Sequence, residues 1–156
     1  METSAERTYV IALNELMRTR ARLTAPFARR LTASPAARTI LFGGLRSRPW
    51  RVPPLSGERD LREFGCSLGF QPALWASVGT GVPANLSEIR APVRIVYGTL
   101  DFMLGAFTAP RFAAAIPGAE LIPLPGLGHA LMLDDPELVA RTILDFTSAF
   151  AESPPR

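Results

Sequence analysis

The sequence contains no lysine, one cysteine and one histidine among its 156 residues. The single cysteine, Cys66, cannot form a disulfide within the chain, and no cluster of cysteine and histidine suggests a zinc site. No apolar run is long enough to span a bilayer, and the N-terminal residues lack the basic and apolar regions of a signal peptide. No G-x-G-x-x-G pattern follows a strand-like segment and no P-loop is present. We therefore expect a cytoplasmic protein that binds no metal ion, no cofactor and no membrane.

All 17 basic residues are arginines, and they are unevenly distributed. Residues 1–91 hold 13 arginines against 7 acidic residues, a net charge of +6, whereas residues 92–156 hold 4 against 7, a net charge of −3. A basic half is compatible with a nucleic-acid or membrane-surface partner. Because no nucleic-acid-binding motif accompanies the charge, we interpret the arginines as a solvated face and expect no nucleic-acid partner.

Residues 1–90 have the pattern of short helices joined by proline-rich loops. Ser34 can cap a helix that begins at Pro35 and ends at the glycine pair 43–44. Ser56 can cap another helix. That second helix carries three apolar side chains on one face: Leu61, Phe64 and Leu68.

From residue 92 the pattern changes to alternating strands and helices. Residues 93–97 and 119–124 are short, proline- or glycine-bounded runs that predict strands. The segment between them predicts a helix capped by Thr108, and Asp135 can cap a last helix with proline in its first turn. The last helix has one apolar stripe, formed by Leu138, Val139, Ile143, Phe146 and Phe150. Strand, helix, strand, helix is the order of a parallel sheet with crossover helices.

Two residues with catalytic chemistry follow the two predicted strands. Asp101 comes directly after the first strand, in VYGTLD, and His129 follows the second, in IPLPGLGHA. Functional side chains of open α/β sheets gather beyond the carboxyl ends of the strands. An aspartate that accepts a hydrogen bond from an imidazole fixes its tautomer, so that the other ring nitrogen serves as a general base. Either residue alone is more often structural, but their combination favours catalysis.

Short motifs connect these residues in a recognisable order. A proline-preceded strand leads to G-x-x-D, ending at Asp101; a helix and a strand lead to the G-H pair at His129; and D-P-E at 135–137 opens the last helix. In this order residues 91–150 resemble the C-terminal portion of the α/β-hydrolase family, in which the acid precedes the histidine. The resemblance implies that Asp101 is the acid and His129 the base of a catalytic triad, and it implies no cofactor.

The resemblance also implies the domain organisation. Residues 1–90 resemble, less closely, the helical lid that the same family inserts before its last strands. The implied fold class is α/β: a partial α/β-hydrolase fold. It has a lid-like region over residues 1–90, and residues 91–156 supply the last two parallel strands with their crossover helices.

Residues 65–69, GCSLG, match the G-x-S-x-G pattern of a nucleophile elbow, in which a serine lies on a turn between a strand and a helix. Three observations argue against Ser67 as the nucleophile. Residues 58–66 contain five charged residues and predict an amphipathic helix, whereas an elbow needs an apolar strand. The 33 residues between Ser67 and Asp101 leave room for one crossover of about 30 residues. In the family, another complete crossover and strand lie between the nucleophile and the acid. No earlier strand or H-G loop is present to form an oxyanion hole.

We therefore expect a hydrolase of an ester or related bond, acting through a covalent intermediate on a small apolar substrate, with its nucleophile unidentified. A serine nucleophile would indicate an esterase or lipase, and an aspartate a dehalogenase or epoxide hydrolase. The missing strands leave three explanations open. The protein continues upstream, a complementing chain or homo-oligomer supplies the rest, or the chain is a truncated product. Whether this chain alone is an enzyme stays open.

Two alternatives belong to other classes of function. The first is a non-catalytic remnant or interaction module of the same fold, which predicts no turnover that depends on His129. The second is a basic surface protein that binds nucleic acid through the arginines of residues 18–30, which predicts salt-dependent affinity.

Overall fold

A computed structural model of the chain describes residues 4–80 and 83–151, and these fall into two compact units. The first unit comprises the described residues up to Gly44 together with Arg48–Glu88. The second comprises Leu45–Ser47 together with the described residues from Ile89 onward. The short segment Leu45–Ser47 therefore interrupts the first unit in sequence but belongs to the second.

The first unit is helical. Its α-helices are α1 (Ser4–Thr24), α2 (Ala28–Ala33), α3 (Pro35–Phe42), α4 (Pro54–Cys66) and α5 (Phe70–Thr80). Short 3₁₀ turns lie at Ala25–Phe27, Pro49–Arg51 and Ala84–Glu88. A small core holds the helices together, and its buried members are Ala21, Ala28, Phe42, Val52 and Leu61.

One of the two helix caps predicted in this unit is confirmed. Ser34 precedes α3, and its hydroxyl oxygen accepts a hydrogen bond from the Ala37 amide at 3.4 Å; Gly43 closes the helix. The Ser56 cap is wrong, because α4 already begins at Pro54, whose fixed φ suits a first helical turn. Leu68 is also misplaced, since it lies beyond the end of α4 and is 90% exposed.

Two arginines expected on a solvated face are buried instead. Arg18 donates to the Ser67 carbonyl at 2.6 Å, and Arg38 donates to the Trp50 carbonyl at 2.8 Å. A guanidinium has five N–H donors, so it can satisfy several loop carbonyls at once. Arg18 and Arg38 therefore hold loops of this unit in place through hydrogen bonds and are not exposed for binding a partner.

The second unit contains a parallel two-stranded sheet within the described residues. Strand β1 (Arg94–Gly98) pairs with β2 (Glu120–Leu124), so that Arg94 lies opposite Glu120 and Gly98 opposite Leu124. The helices are α6 (Gly105–Ala115) between the strands, then α7 (Leu131–Asp134) and α8 (Pro136–Ala151). The predicted order of strands and crossover helices is confirmed.

The helix starts in this unit were predicted with mixed success. The Asp135 cap is confirmed, since its Oδ1 accepts from the Leu138 amide at 2.9 Å. The Thr108 cap is wrong: α6 begins at Gly105, and the Thr108 hydroxyl donates to the Leu104 carbonyl from inside the helix. Helix α7 was not predicted, because four residues are too few to show a period.

The apolar stripe predicted on α8 is covered only in part. Ile143 and Phe150 are 54% and 47% exposed. The guanidinium of Arg94 lies 4.7 Å from the centre of the half-buried Phe146 ring, a cation–π distance.

Among the described residues, none of the helices combines the length and the apolar character needed to cross a membrane.

Candidate active site

The two candidate catalytic residues lie on loops that follow the parallel strands. Asp101 comes three residues after the end of β1, and His129 five residues after the end of β2. Backbone hydrogen bonds join the loops: the Leu100 amide donates to the Leu127 carbonyl at 2.9 Å, and the Thr99 amide to the Leu124 carbonyl at 3.1 Å. Parallel pairing thus brings both side chains to the same edge of the sheet, as the sequence predicted.

Gly98, the last residue of β1, allows the two loops to approach each other. A Cβ atom on Gly98 would lie 2.3 Å from the Leu127 carbonyl oxygen and 2.5 Å from the Gly128 carbonyl oxygen. Backbone atoms cannot move aside as a flexible side chain can. A glycine is therefore required here for the histidine loop to pack against the aspartate strand.

Asp101 is fixed by its own loop. The residue is 6% exposed, and its Oδ1 accepts hydrogen bonds from the amides of Met103 at 2.9 Å and Leu104 at 3.1 Å. Burial raises the pKa of the carboxyl, but the hydrogen bonds from His129 and the two amides outweigh it, and the pKa lies below its ordinary value. Asp101 is therefore a carboxylate at neutral pH, with Oδ2 directed at the histidine.

His129 binds that carboxylate directly. Its Nδ1 lies 3.1 Å from Oδ2 of Asp101, and its side chain is 34% exposed. The hydrogen bond to Asp101 raises the pKa of His129 above its ordinary value, although burial acts in the opposite direction. Because a carboxylate only accepts, Nδ1 carries the proton, and Nε2 of the neutral ring is then the basic nitrogen.

A cavity of about 330 Å³ adjoins the pair. Its polar lining includes Asp101 and His129. The apolar lining comes from β1, from α6 with the two residues that flank it, and from α7. It includes Ile95, Tyr97, Leu104, Phe112, Ile116 and Leu131. The pair therefore stands at a largely apolar concavity, the usual setting of a small-molecule site.

Sequence reasoning missed a second acidic residue at the histidine loop. Asp134 accepts hydrogen bonds from the Gly128 amide at 3.0 Å and from Nε of Arg46 at 2.8 Å. No local pattern signals the contact between Asp134 and Arg46, because the two residues are 88 positions apart in sequence.

Ser67 lies in the first unit, directly after α4. The residues before it are helical, as the charge pattern predicted, and they do not form the strand that an elbow requires. The Ser67 carbonyl accepts from Arg18. The structure thus brings Asp101 and His129 together in one unit and describes Ser67 in the other.

Among the described residues, no three His, Cys, Asp or Glu side chains are grouped so that they could hold a metal ion.

The fold and the acid–histidine pair define a protein of α/β-hydrolase type. The sequence model of the family described as "Alpha/beta hydrolase family" matches residues 4–142. The chain therefore belongs to the α/β-hydrolase family, and the predicted partial α/β-hydrolase fold is confirmed.

Several curated sequences are similar to parts of the chain. Protein ABHD14A of Danio rerio is 34% identical over 111 residues, which cover 67% of this chain and 40% of that protein. Putative carbamate hydrolase RutD of Pseudomonas savastanoi pv. phaseolicola (strain 1448A / Race 6) is 34% identical over 68 residues, 44% of this chain and 26% of that protein. Monoacylglycerol lipase ABHD6 of Homo sapiens is 28% identical over 65 residues, 42% of this chain and 19% of that protein.

Among solved structures, a membrane phospholipase A described as a novel bacterial virulence factor shares the fold. The TM-score is 0.60 with 15% identity, over 80% of this chain and 41% of that one. The chain thus spans about two fifths of the length of these longer proteins, or less.

Proposed function

We propose that Asp101 and His129 are the acid and the base of a catalytic triad that hydrolyses an ester or related acyl bond. The observation that carries the proposal is the 3.1 Å contact between His129 Nδ1 and Asp101 Oδ2 at the carboxyl end of the sheet. A carboxylate held by two backbone amides is a fixed acceptor, so it orients the imidazole without itself moving.

In the proposed reaction, Nε2 of His129 removes the proton of a hydroxyl nucleophile as that oxygen attacks the carbonyl carbon of the substrate. Asp101 stabilises the imidazolium that forms. The imidazolium then returns the proton to the leaving group, whose bond to the carbonyl carbon breaks, and an acyl-enzyme remains. In the second half of the reaction His129 deprotonates water as the water oxygen attacks the carbonyl carbon of the acyl-enzyme. The bond to the nucleophile oxygen then breaks, the imidazolium returns the proton to that oxygen, and the carboxylic acid product leaves.

We infer that the nucleophile comes from a segment outside this sequence, on the same polypeptide or on a second one. Helix α4 before Ser67 supports this inference, because a nucleophile elbow follows a strand. The short span of the chain relative to its relatives supports it as well. A complementing chain as the source is part of the same proposal, whereas a homo-oligomer stays a separate prediction, because a second copy of this chain adds no segment that the first copy lacks.

The names of the relatives bear on the bond that is cleaved. A monoacylglycerol lipase and a putative carbamate hydrolase both act on a carbonyl carbon, so they favour acyl transfer over dehalogenase or epoxide chemistry for this chain. The apolar lining of the cavity supports a small apolar substrate. A lid role for the helical first unit is proposed with it, and a cytoplasmic location stays a prediction.

A non-catalytic interaction module of the same fold is the second candidate. The exposed apolar side chains Ile143, Leu144 and Phe150 on α8 favour it, because such surfaces mark contacts with other polypeptides. It predicts that replacing His129 changes no reaction of the protein.

Covalent labelling separates these ideas. The purified chain is treated with a fluorophosphonate, and adducts are located by intact mass and peptide mapping in the wild type, Ser67→Ala and His129→Ala. Hydrolysis of p-nitrophenyl butyrate is followed in parallel. We expect no adduct on Ser67. Without its nucleophile the chain should still cleave this activated ester slowly, because His129 can deprotonate water directly, and His129→Ala should abolish that cleavage. A stoichiometric Ser67 adduct that disappears in His129→Ala would overturn our inference about the nucleophile. Ester cleavage unaffected by His129→Ala would instead favour the non-catalytic module.

A further inference from the structure

We propose that Asp134 is a positioning residue for His129, acting through Arg46 and the Leu45–Ser47 segment. This inference rests on the proposed function, because it concerns the same histidine. Asp134 does not enter the reaction itself; it holds the backbone that carries the imidazole.

The contacts of Asp134 converge on the histidine loop. Its side chain is 1% exposed. One oxygen accepts from Nε of Arg46 at 2.8 Å, and the other accepts from the amides of Ser47 at 2.8 Å and Gly128 at 3.0 Å. The carboxylate therefore binds the residue that directly precedes His129 and two residues of a distant segment at the same time.

The residue on the other side of His129 is held by the same segment. The Ala130 amide donates to the Leu45 carbonyl at 3.0 Å. Arg46 also donates through Nη2 to the Leu133 carbonyl, in α7. The backbone on both sides of His129 is thus hydrogen-bonded to Asp134 or to Leu45–Ser47, and the orientation of the imidazole depends on that frame.

Close packing leaves the frame little freedom. A Cβ atom on Gly128 would lie 2.9 Å from the Ser47 nitrogen and 3.1 Å from Oδ2 of Asp134. A displacement of the Leu45–Ser47 segment by a few tenths of an ångström would therefore press on the histidine loop or open a gap beside it.

The carboxyl group of Asp134 stays ionised and hydrogen-bonded at neutral pH. Burial raises the pKa of its carboxyl, but the hydrogen bonds from Ser47, Arg46 and Gly128 outweigh burial and hold the pKa below its ordinary value. The group is therefore ionised across the range in which His129 titrates, and its hydrogen bonds are of the stronger, charge-assisted kind.

The competing explanation is an ion pair that only stabilises the unit. The titration of His129 separates the two roles, because it reports whether the imidazole still meets Asp101. His129 is the only histidine in the chain, so its imidazole resonances need no assignment by mutation. The measurement also requires neither a substrate nor an identified nucleophile.

The test is a ¹H–¹³C NMR titration of His129 in the wild type, Asp134→Asn, Arg46→Met and a control, Asp135→Asn. Asp135 is the neighbouring carboxylate, and it caps α8. We expect the pKa of His129 to fall in Asp134→Asn and in Arg46→Met, towards its ordinary value of 6.5. The control should keep the wild-type pKa.

The sign of the change in Arg46→Met is decisive. Loss of a nearby cation would by direct charge interaction raise the pKa of His129, whereas loss of positioning lowers it. An unchanged or raised pKa in folded Arg46→Met overturns the proposal. If Asp134→Asn does not fold, Arg46→Met decides alone, because it keeps the carboxylate and removes only the link that Arg46 makes from Asp134 to the Leu133 carbonyl and the Leu45–Ser47 segment. Arg46→Lys should reverse part of the decrease in the pKa of His129.

Asp101→Asn, measured in the same series, distinguishes failure of this inference from failure of the proposed function. If Asp101→Asn lowers the pKa of His129 and the Arg46 and Asp134 variants do not, only the positioning role of Asp134 is wrong. If Asp101→Asn leaves the pKa unchanged, the acid–base pair is absent and the proposed function fails with it.

Discussion

Nδ1 of His129 lies 3.1 Å from Oδ2 of Asp101, although the two residues are 28 positions apart in sequence. They meet because each follows the end of one of two paired parallel strands. The loops are joined by backbone hydrogen bonds, and Gly98 leaves room for their contact. The pair is thus a product of the sheet, and disturbing the sheet edge should disturb the histidine.

Gly98→Ala should lower the stability of the folded chain and weaken the contact between Asp101 and His129. The new methyl group would collide with two backbone oxygens, so strand and loop must separate. We expect a loss of about 2–3 kcal/mol in the free energy of unfolding, measured by urea denaturation, and a lower pKa of His129. Gly69→Ala is the control, since a Cβ there meets no described atom within 4 Å; its stability should stay within about 0.5 kcal/mol of the wild type. Equal stabilities of the two variants would contradict the steric role of Gly98.

Asp101→Asn should change how stability depends on pH. His129 has a raised pKa in the folded chain, so its contribution is fully present below about pH 6.5 and is lost as pH rises through the folded pKa. Asp101 has a lowered pKa, so its contribution is present above pH 3.8 and is lost as pH falls through the folded pKa.

The stability difference between wild type and Asp101→Asn should therefore be largest between about pH 4 and 6.5. We expect about 1 kcal/mol there, since solvent screens the partly exposed imidazole, and less at pH 8.5. Urea unfolding at pH 5.5 and 8.5 measures this. A difference that grows towards pH 8.5 would show that the imidazolium does not gain from Asp101.

Asp134→Asn should remove part of the acid sensitivity of the fold. The wild-type carboxylate contributes stability above pH 3.8, and this is lost as pH falls through its lowered folded pKa. At pH 7 the variant leaves Arg46 without its charged partner, and we expect a loss of about 2–3 kcal/mol in the free energy of unfolding. The difference in stability between variant and wild type should narrow as pH falls through the lowered folded pKa of Asp134, and a difference of constant size would argue against ionisation as its cause.

The sequence predicted the parts of the molecule that local patterns determine. Both strands, the Ser34 and Asp135 caps and the helix before Ser67 follow from residue types within a few positions. Asp101 and His129 were found because parallel strands bring their following loops to one edge.

Contacts between distant segments could not be predicted. Arginine is usually a surface residue, yet three arginines bind groups that are close only in the folded chain: Arg18, Arg38 and Arg46. The Thr108 cap failed for a related reason, because the threonine bonds back to Leu104 in a helix that begins earlier than its sequence suggests. The frame around His129 therefore appears only in the structure, although the histidine itself is visible in the sequence.

The most direct test of the acid–base pair is an NMR titration of the single histidine in the wild type and in Asp101→Asn. The proposed triad predicts a pKa of His129 above the ordinary value in the wild type, which falls to or below that value when residue 101 no longer carries a charge. A wild-type pKa at the ordinary value, unchanged in a folded Asp101→Asn, would contradict the acid–base pair and with it the proposed triad.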